Sequence, residues 1–137
     1  MLHVGQAGLG LPDRDYYFKT DEATVAIQNA YKTYLTSLFA LSEHENAEQS
    51  AAIVYDIEKK LAESHKTRIE RRNVKENYNK MAVADLNEGQ PNIGWTNLIT
   101  QLNLQADSID VSQPAYYNAL NAMLNSVPIS DWKTIAP

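Results

Sequence analysis

The 137-residue sequence contains no cysteine, and this absence excludes three kinds of chemistry. Disulfide bonds, thiolate zinc sites and cysteine nucleophiles all require a thiol. A chain without disulfides fits the cytosol, and it also fits a bacterial envelope protein that does not rely on them. No apolar run approaches the roughly 20 residues of a membrane-spanning helix. The first three residues do not form the basic and apolar parts of a signal peptide.

Recognisable catalytic motifs are also missing. The sequence has neither the H-E-x-x-H of zinc proteases nor the G-x-S-x-G of serine hydrolases. His44 and Glu48 stand one helical turn apart, but no third ligand accompanies them, so we expect solvated side chains at a helix start. The glycine-rich "GQAGLG" lacks both the glycine order and the following helix of a dinucleotide site. The sequence therefore predicts no catalytic residue, no metal ligand and no cofactor in this chain.

Positive charge is scarce overall. The formal net charge is −5, so non-specific binding to nucleic acid is not favoured. Hydrophobic residues make up 44% of the chain, which is enough for a core and too many for a disordered protein. The length suits one domain or part of a larger one.

Residues 59–80 are an exception, because eight basic and three acidic residues give this segment a net charge of +5. The rest of the chain carries −10. We expect a solvated face with internal ion pairs. A contact with an acidic substrate or a carboxylate terminus is the alternative, and the segment lacks the interleaved aromatic residues of a nucleic-acid surface.

Apolar residues at helical spacing predict an all-α fold, an irregular bundle of about five to six helices with an extended N-terminal loop. We treat residues 1–137 as a single helical region. One helix begins at Thr20 or Asp21 and ends near Ser42, and a second runs from about Glu45 to Lys66. The other predicted elements are a short helix in "MAVADL", helices from Trp95 and Pro114, a brief extended stretch in "QADSIDV", and a final helix capped by Ser130.

Glu58 interrupts the apolar stripe of the second predicted helix. A buried carboxylate must be paired, and arginine is its best partner. Arg71 and Arg72 follow on an adjacent predicted element. We therefore predict a structural ion pair between Glu58 and one of these arginines.

The segment Gly8–Phe18, "GLGLPDRDYYF", is here called the opening loop. It is too irregular for a helix and too charged for a buried strand. Its glycines permit positive φ, its proline fixes φ, and its aspartates can accept hydrogen bonds from nearby backbone amides. The sequence thus predicts a shaped turn followed by aromatic anchors.

The opening loop resembles the G-L-G-L-P-x-R-D-Y-Y segment of the neprilysin and endothelin-converting-enzyme family of zinc metallopeptidases. The family's later segments follow in the same order, and the lack of cysteine suggests a bacterial member. The matching stretches are the aromatic pair Tyr31 and Tyr34, then "VYDIEKKLA", "RIERRNVKENYNKM", "PNIGW" and "QPAYYNALNAML".

The resemblance implies that this chain is an excised part of the N-terminal domain that caps the catalytic domain and helps enclose a cavity admitting peptides. Members are several hundred residues long, and their H-E-x-x-H motif and third zinc ligand lie C-terminal to the matched region. The whole protein would hydrolyse peptide bonds with zinc-activated water, and this part alone would be inactive. No catalytic or zinc residue carries over, because no position here matches one.

Within the opening loop, the resemblance implies a structural role for Arg14, Asp15, Tyr16 and Tyr17. The alternative is that part of the loop borders the substrate cavity and touches the peptide. The expected partners are the remainder of the parent chain and, through it, peptide substrates, with no nucleic acid and no membrane segment in this region. A dimer through exposed apolar surface is a further alternative.

The implied location of the parent is the bacterial cell envelope, the periplasm or the exterior. A second hypothesis needs no parent, because a stand-alone helical module could bind a peptide or protein in grooves between its helices. An exposed apolar patch would favour the first hypothesis.

Overall fold

Helices and short strands alternate along residues 2–42 and 45–135, the parts of the chain that this computed structural model describes. His44 lies outside the described residues. In chain order the elements are β1 (Leu2–Val4), α1 (Asp15–Phe18), α2 (Glu22–Leu41), α3 (Ala47–Glu63), α4 (Arg68–Arg71), β2 (Lys80–Ala82), α5 (Val83–Gly89), α6 (Trp95–Gln101), β3 (Ser108–Val111), α7 (Pro114–Ser126) and α8 (Ile129–Ile135).

The chain folds as two units that are each discontinuous in sequence. We call Met1–Ala7 with Ser64–Ser126 the sheet unit, and Gly8–Glu63 with Val127–Pro137 the helix unit.

The helix unit is built on α2 and α3, which pack against each other, and α3 also contacts α8. Asp21 caps α2 as predicted, because its carboxylate accepts the Thr24 N–H at 3.0 Å. The helix ends at Leu41, within a residue of its expected end. The predicted second helix is shorter than expected at both ends, covering Ala47–Glu63.

The core of the helix unit joins the opening loop to both long helices. Its buried residues come from the loop, from α2 and from α3, and they are Leu11, Tyr17, Leu35, Ala51, Val54, Tyr55 and Ala62. The aromatic end of the loop is therefore part of the hydrophobic core.

The sheet unit contains a three-stranded sheet in the order β1-β3-β2. β3 is central, parallel to β1 and antiparallel to β2, with Leu2 opposite Ile109 and Lys80 opposite Asp110. The completely buried Ile109 and Val111 anchor β3 in the core of this unit. Their neighbours there are Leu86, Trp95 and Ile99.

The mostly helical character is confirmed, but the all-α prediction left out the sheet. Extended chain was expected at β3 and in the N-terminal segment that contains β1, but β2 and the pairing of the three strands were not anticipated. Strands of three or four residues are too short to show the alternation that identifies a half-buried strand. The described residues hold eight helices, two of them single turns of four residues, against the five to six predicted.

Among residues 2–42 and 45–135, no helix is both long enough and apolar enough to cross a membrane.

Candidate functional site

The opening loop is shaped by a glycine and held by its own polar groups. Gly8 has a φ of 93°, which favours glycine because other side chains clash there. The Asp13 carboxylate accepts the N–H of Asp15 at 2.9 Å, at the start of α1. The N–H of Leu11 donates to the hydroxyl of Tyr17 at 3.2 Å. These contacts fix the turn that the sequence predicted.

A buried carboxyl group ties the loop to both long helices. Glu58, on α3, is only 7% exposed. Its Oε2 accepts hydrogen bonds from the hydroxyls of Tyr17 and Tyr31, each at 2.8 Å. The Tyr31 hydroxyl also lies 3.0 Å from Oε1. One side chain therefore joins the opening loop, α2 and α3.

Burial and the neighbouring Glu58 favour the protonated form of the Tyr17 and Tyr31 hydroxyls. Burial raises the pKa of Tyr17 and of Tyr31 well above the ordinary value of 10.0. Hydrogen bonding to Glu58 and the negative charge of its carboxylate raise both pKa values further. Both hydroxyls are consequently donors to Glu58 at neutral pH.

The approach of the loop to α2 requires glycine at a second position. A Cβ atom on Gly10 would overlap the hydroxyl oxygen and the ring of Tyr31. The hydroxyl of Tyr31 is held in that place by Glu58. Gly10 is thus part of the same assembly.

Two of the predicted loop residues, Arg14 and Tyr16, form hydrogen bonds with α3 and α2, and each bond involves a backbone carbonyl group. The Nε of Arg14 donates to the carbonyl oxygen of Ala62 at 3.3 Å, and its guanidinium lies 5.0 Å from the centre of the Phe18 ring. The carbonyl of Tyr16 accepts from the side-chain amide of Gln28 at 2.8 Å. Both residues hold the loop in place.

A surface cavity of about 300 Å³ lies beside α1. Two of the four predicted loop residues, Asp15 and Tyr16, line it, whereas Tyr17 is buried at Glu58. The lining is mixed in charge and consists of Asp13, Asp15, Tyr16, Lys19, Thr24 and Ile27. Asp13, Asp15 and Tyr16 are thus the loop residues that line a cavity at the surface of the helix unit.

In the structure, the hydroxyls of Tyr17 and Tyr31 donate hydrogen bonds to Glu58, whereas the sequence favoured an arginine as its partner. Arg71 ends α4, Arg72 follows it, and both side chains are exposed. They belong to the sheet unit. The predicted ion pair of Glu58 with Arg71 or Arg72 stays a prediction.

In the sheet unit, a cluster of side chains holds the segment just before the opening loop. The Gln6 amide accepts the N–H of Lys66 at 2.7 Å and donates to its carbonyl at 3.0 Å. The backbone N–H of Gln6 donates to the side chain of Gln113 at 2.7 Å. The Tyr117 hydroxyl donates to the carbonyl of Gly5 at 2.7 Å. Burial raises the pKa of Tyr117 to about 12.

A hydrogen bond between two titratable side chains of the sheet unit was missed by sequence reasoning. His3 Nδ1 lies 2.8 Å from Oδ2 of the buried Asp110, across β1 and β3. Oδ1 of Asp110 accepts the N–H of Asn79 at 3.0 Å. This N–H first, and then His3, lower the pKa of Asp110. The two partners are 107 positions apart, so no local pattern could have paired them.

Metal-ligating residue types do not converge in the described ranges. Residues 2–42 and 45–135 contain no group of three or more His, Cys, Asp or Glu side chains that could hold an ion.

Comparison with protein families and curated proteins gives consistent matches. The model of peptidase family M13 matches residues 1–136. Endothelin-converting enzyme-like 1 of Rattus norvegicus is 30% identical over 104 residues, covering 74% of this chain and 13% of that protein. Endothelin-converting enzyme 1 of Cavia porcellus is 29% identical over 135 residues, covering 92% of this chain and 18% of that protein.

Solved structures match nearly the whole chain. The cryo-EM structure of the Mycobacterium tuberculosis zinc metalloprotease Zmp1 in its open state has a TM-score of 0.88 and 30% identity. The crystal structure of the same protease with an inhibitor has a TM-score of 0.89 and 29% identity. Each match covers 98% of this chain and 21% of the protease chain. The chain thus spans about a fifth of the length of these relatives, or less.

Proposed function

Because this chain belongs to peptidase family M13, the zinc metallopeptidases of the neprilysin and endothelin-converting-enzyme type, we propose that it is a non-catalytic part of a zinc metalloendopeptidase. The whole protein hydrolyses peptide bonds, and this part helps to enclose the cavity in which the substrate is held. One observation carries the proposal. Nearly all of this chain superposes on about a fifth of a zinc metalloprotease at a TM-score of 0.88.

The zinc of that enzyme is held outside this chain. The residues described here do not fit a zinc site, since no three ligands converge among them. Three protein ligands are the usual requirement of a catalytic zinc. We therefore attribute no catalytic step to these residues. Their contribution is to shape the substrate cavity, to bind the peptide and to exclude substrates that are too large.

The contacts of the opening loop support a role as a wall. A wall that limits access must keep its shape, and the loop is held through Tyr17 and Arg14 by α3. Asp15 and Tyr16 remain at the surface, where they line the small cavity beside α1. Of the loop residues, these two are the ones we expect to border the substrate.

Zinc content and peptide cleavage test the catalytic part of this proposal. We would compare the 137-residue chain with the protein made from its complete reading frame. The complete protein should bind zinc stoichiometrically and cleave peptides, and the 137-residue chain should do neither. Tight stoichiometric zinc binding together with cleavage by the 137-residue chain would overturn the proposal. A reading frame that ends at Pro137 would leave the stand-alone binding module as the better hypothesis.

Substrate size tests the enclosing part. In the complete protein, Gly10→Ala should loosen the loop and raise cleavage of long, unfolded substrates relative to a short peptide. Gly89→Ala is the matched control, because a Cβ there meets nothing within 4 Å. An unchanged ratio of long to short substrate in Gly10→Ala, with its loop shown to be displaced, would argue against enclosure.

A further inference from the structure

One face of α2 carries a regular row of exposed residues. Six positions alternate in steps of four and three along the helix, and we call this row the α2 seam. Its members are Ala23, Ile27, Ala30, Tyr34, Ser37 and Leu41, and all six are exposed. Tyr34 is 57% exposed and Leu41 is 82% exposed, although both are large and apolar or aromatic.

The seam is distinct from the face that α2 packs on α3. The core face contains the buried Thr24 and Leu35, with Tyr31 directed at Glu58. At about 100° per residue, Tyr34 lies roughly 100° around the helix from Leu35. Ile27 and Tyr34 lie about 40–60° from Tyr31, so the exposed row extends the apolar surface of α2 beyond the face that packs on α3.

Charge is almost absent from this helix. Among its twenty residues only Glu22 and Lys32 are charged. Neither belongs to the seam, and the Lys32 ammonium lies over the Tyr55 ring at 4.4 Å. Surface helices carry charged residues on the face opposite the core, whereas helices that are apolar around most of their circumference are buried. The low charge of α2 therefore favours a partner on its exposed apolar row.

The spacing identifies the kind of partner that would cover the seam. Steps of four and three are the repeat by which two helices pack side by side at about 20°. Large residues alternate with small ones, so Ala23, Ala30 and Ser37 leave holes between Ile27, Tyr34 and Leu41. A neighbouring helix would place its own apolar side chains in those holes.

We propose that the α2 seam binds an α-helix of the same protein that lies outside these 137 residues. This inference rests on the proposed function, in which the chain is part of a longer peptidase. About four-fifths of the matched protease lies beyond the region of similarity, which leaves ample chain to supply the helix.

The size of the seam favours a covalently linked partner over a second copy. A stable interface between separate proteins uses roughly 20–30 residues on each side. The seam has six, along about 27 Å of helix at 1.5 Å per residue. A helix in the same chain needs less contact, because linkage gives it a high effective concentration.

Thiol labelling tests this inference, and the absence of cysteine makes the chain suitable for it. Tyr34→Cys places a thiol on the seam. Thr33→Cys is the matched control, since Thr33 is exposed and directly precedes Tyr34 in α2 but does not belong to the seam. Ala30→Cys is a second seam probe with a smaller change of side chain. The unsubstituted protein gives the background, and circular dichroism shows that the variants are folded.

In the protein made from the complete reading frame, we expect the seam thiols to react on the order of 100-fold more slowly than the control thiol. In the 137-residue chain all three should react at similar rates. Equal rates at seam and control in the complete protein would overturn the proposal. Concentration-dependent protection of the seam in the 137-residue chain would also overturn it, by identifying a second copy as the partner.

The same samples separate this inference from the proposed function. Peptide cleavage by the complete protein with an unprotected seam would refute the docked helix and leave the peptidase intact. A protected seam in a complete protein that cleaves no peptide would refute the peptidase proposal and support the docked helix.

Discussion

The hydroxyl of Tyr17 donates a 2.8 Å hydrogen bond to the buried carboxylate of Glu58, across 41 positions of sequence. Tyr31 donates to the same carboxylate from a second helix. A charged group in a core is stabilised when its oxygens are hydrogen-bonded, and it is costly when they are not. Glu58 is thus one of the side chains that fix the position of the opening loop, together with the contacts of Arg14 and Gln28.

Removing this carboxylate should destabilise the chain strongly. Glu58→Ala leaves the buried hydroxyl of Tyr17 and the half-buried hydroxyl of Tyr31 without their acceptor and opens a cavity, so we expect a loss of about 3–5 kcal/mol in the free energy of unfolding. Glu58→Gln keeps one acceptor oxygen and should cost about 1–2 kcal/mol. Urea denaturation measures both. Glu63→Gln, at an exposed position of the same helix, is the control and should stay within about 0.5 kcal/mol. A Glu58→Ala variant as stable as this control would contradict the assembly.

Gly10→Ala should cost about 1–3 kcal/mol, because the added methyl group overlaps Tyr31 and forces either the loop or the ring to move. The cost should shrink in a Tyr31→Ala background, where the clash is absent. Thermal or urea unfolding of the four variants of this cycle gives the coupling. Gly89→Ala should be neutral or slightly stabilising. An equal cost of Gly10→Ala in both backgrounds would show that the close approach is not its cause.

Acid should weaken the sheet unit through Asp110. Its pKa is lowered in the folded chain by the Asn79 N–H and by His3, so the folded state favours the ionised carboxylate. This contribution is present above the unfolded pKa of about 3.9 and is lost as the pH falls through the lowered folded pKa.

The difference in unfolding free energy between the unsubstituted chain and Asp110→Asn should therefore be larger at pH 7 than at pH 3. Denaturant titrations at the two pH values measure it. Asp107→Asn, at an exposed position near β3, should show no such change. A pH-independent effect of Asp110→Asn would mean that the ionised carboxylate contributes nothing to stability.

Alkali should act through Tyr117. Burial raises its pKa from 10.0 to about 12, so folding favours the protonated hydroxyl that donates to Gly5. The associated stability is complete below the unfolded value of 10.0 and disappears as the pH rises toward about 12. Tyr117→Phe should be less stable than the unsubstituted chain at pH 8, with the gap closing at higher pH. A gap that widens with pH would reverse the predicted sign.

The sequence contained what was needed to place the long helices. Asp21 and Pro114 mark helix starts locally, and apolar spacing over 13 to 20 residues outlines α2 and α7. The sheet could not be predicted from local patterns, because β1 and β3 pair across 107 residues and each strand is too short to show an alternation.

Only part of the candidate site could be predicted from the sequence, for the same reason. The apolar stripe around Glu58 indicated a buried carboxylate, and the opening loop indicated aromatic anchors. The link between them required knowing that Tyr17 and Tyr31 converge from 41 and 27 positions away. The rules of pairing favour arginine for a buried carboxylate, and the fold supplies two tyrosine hydroxyls that also donate to Glu58.

The order of the strands has a consequence for biosynthesis. β1 leaves the ribosome before its only neighbour in the described sheet, β3, which follows 107 residues later. At roughly 5–20 residues per second, the nascent strand waits on the order of 5–20 seconds with an unpaired edge. During that interval the helices between the strands can begin to form from local contacts, while Leu2 and Val4 stay available to chaperones or to other nascent chains.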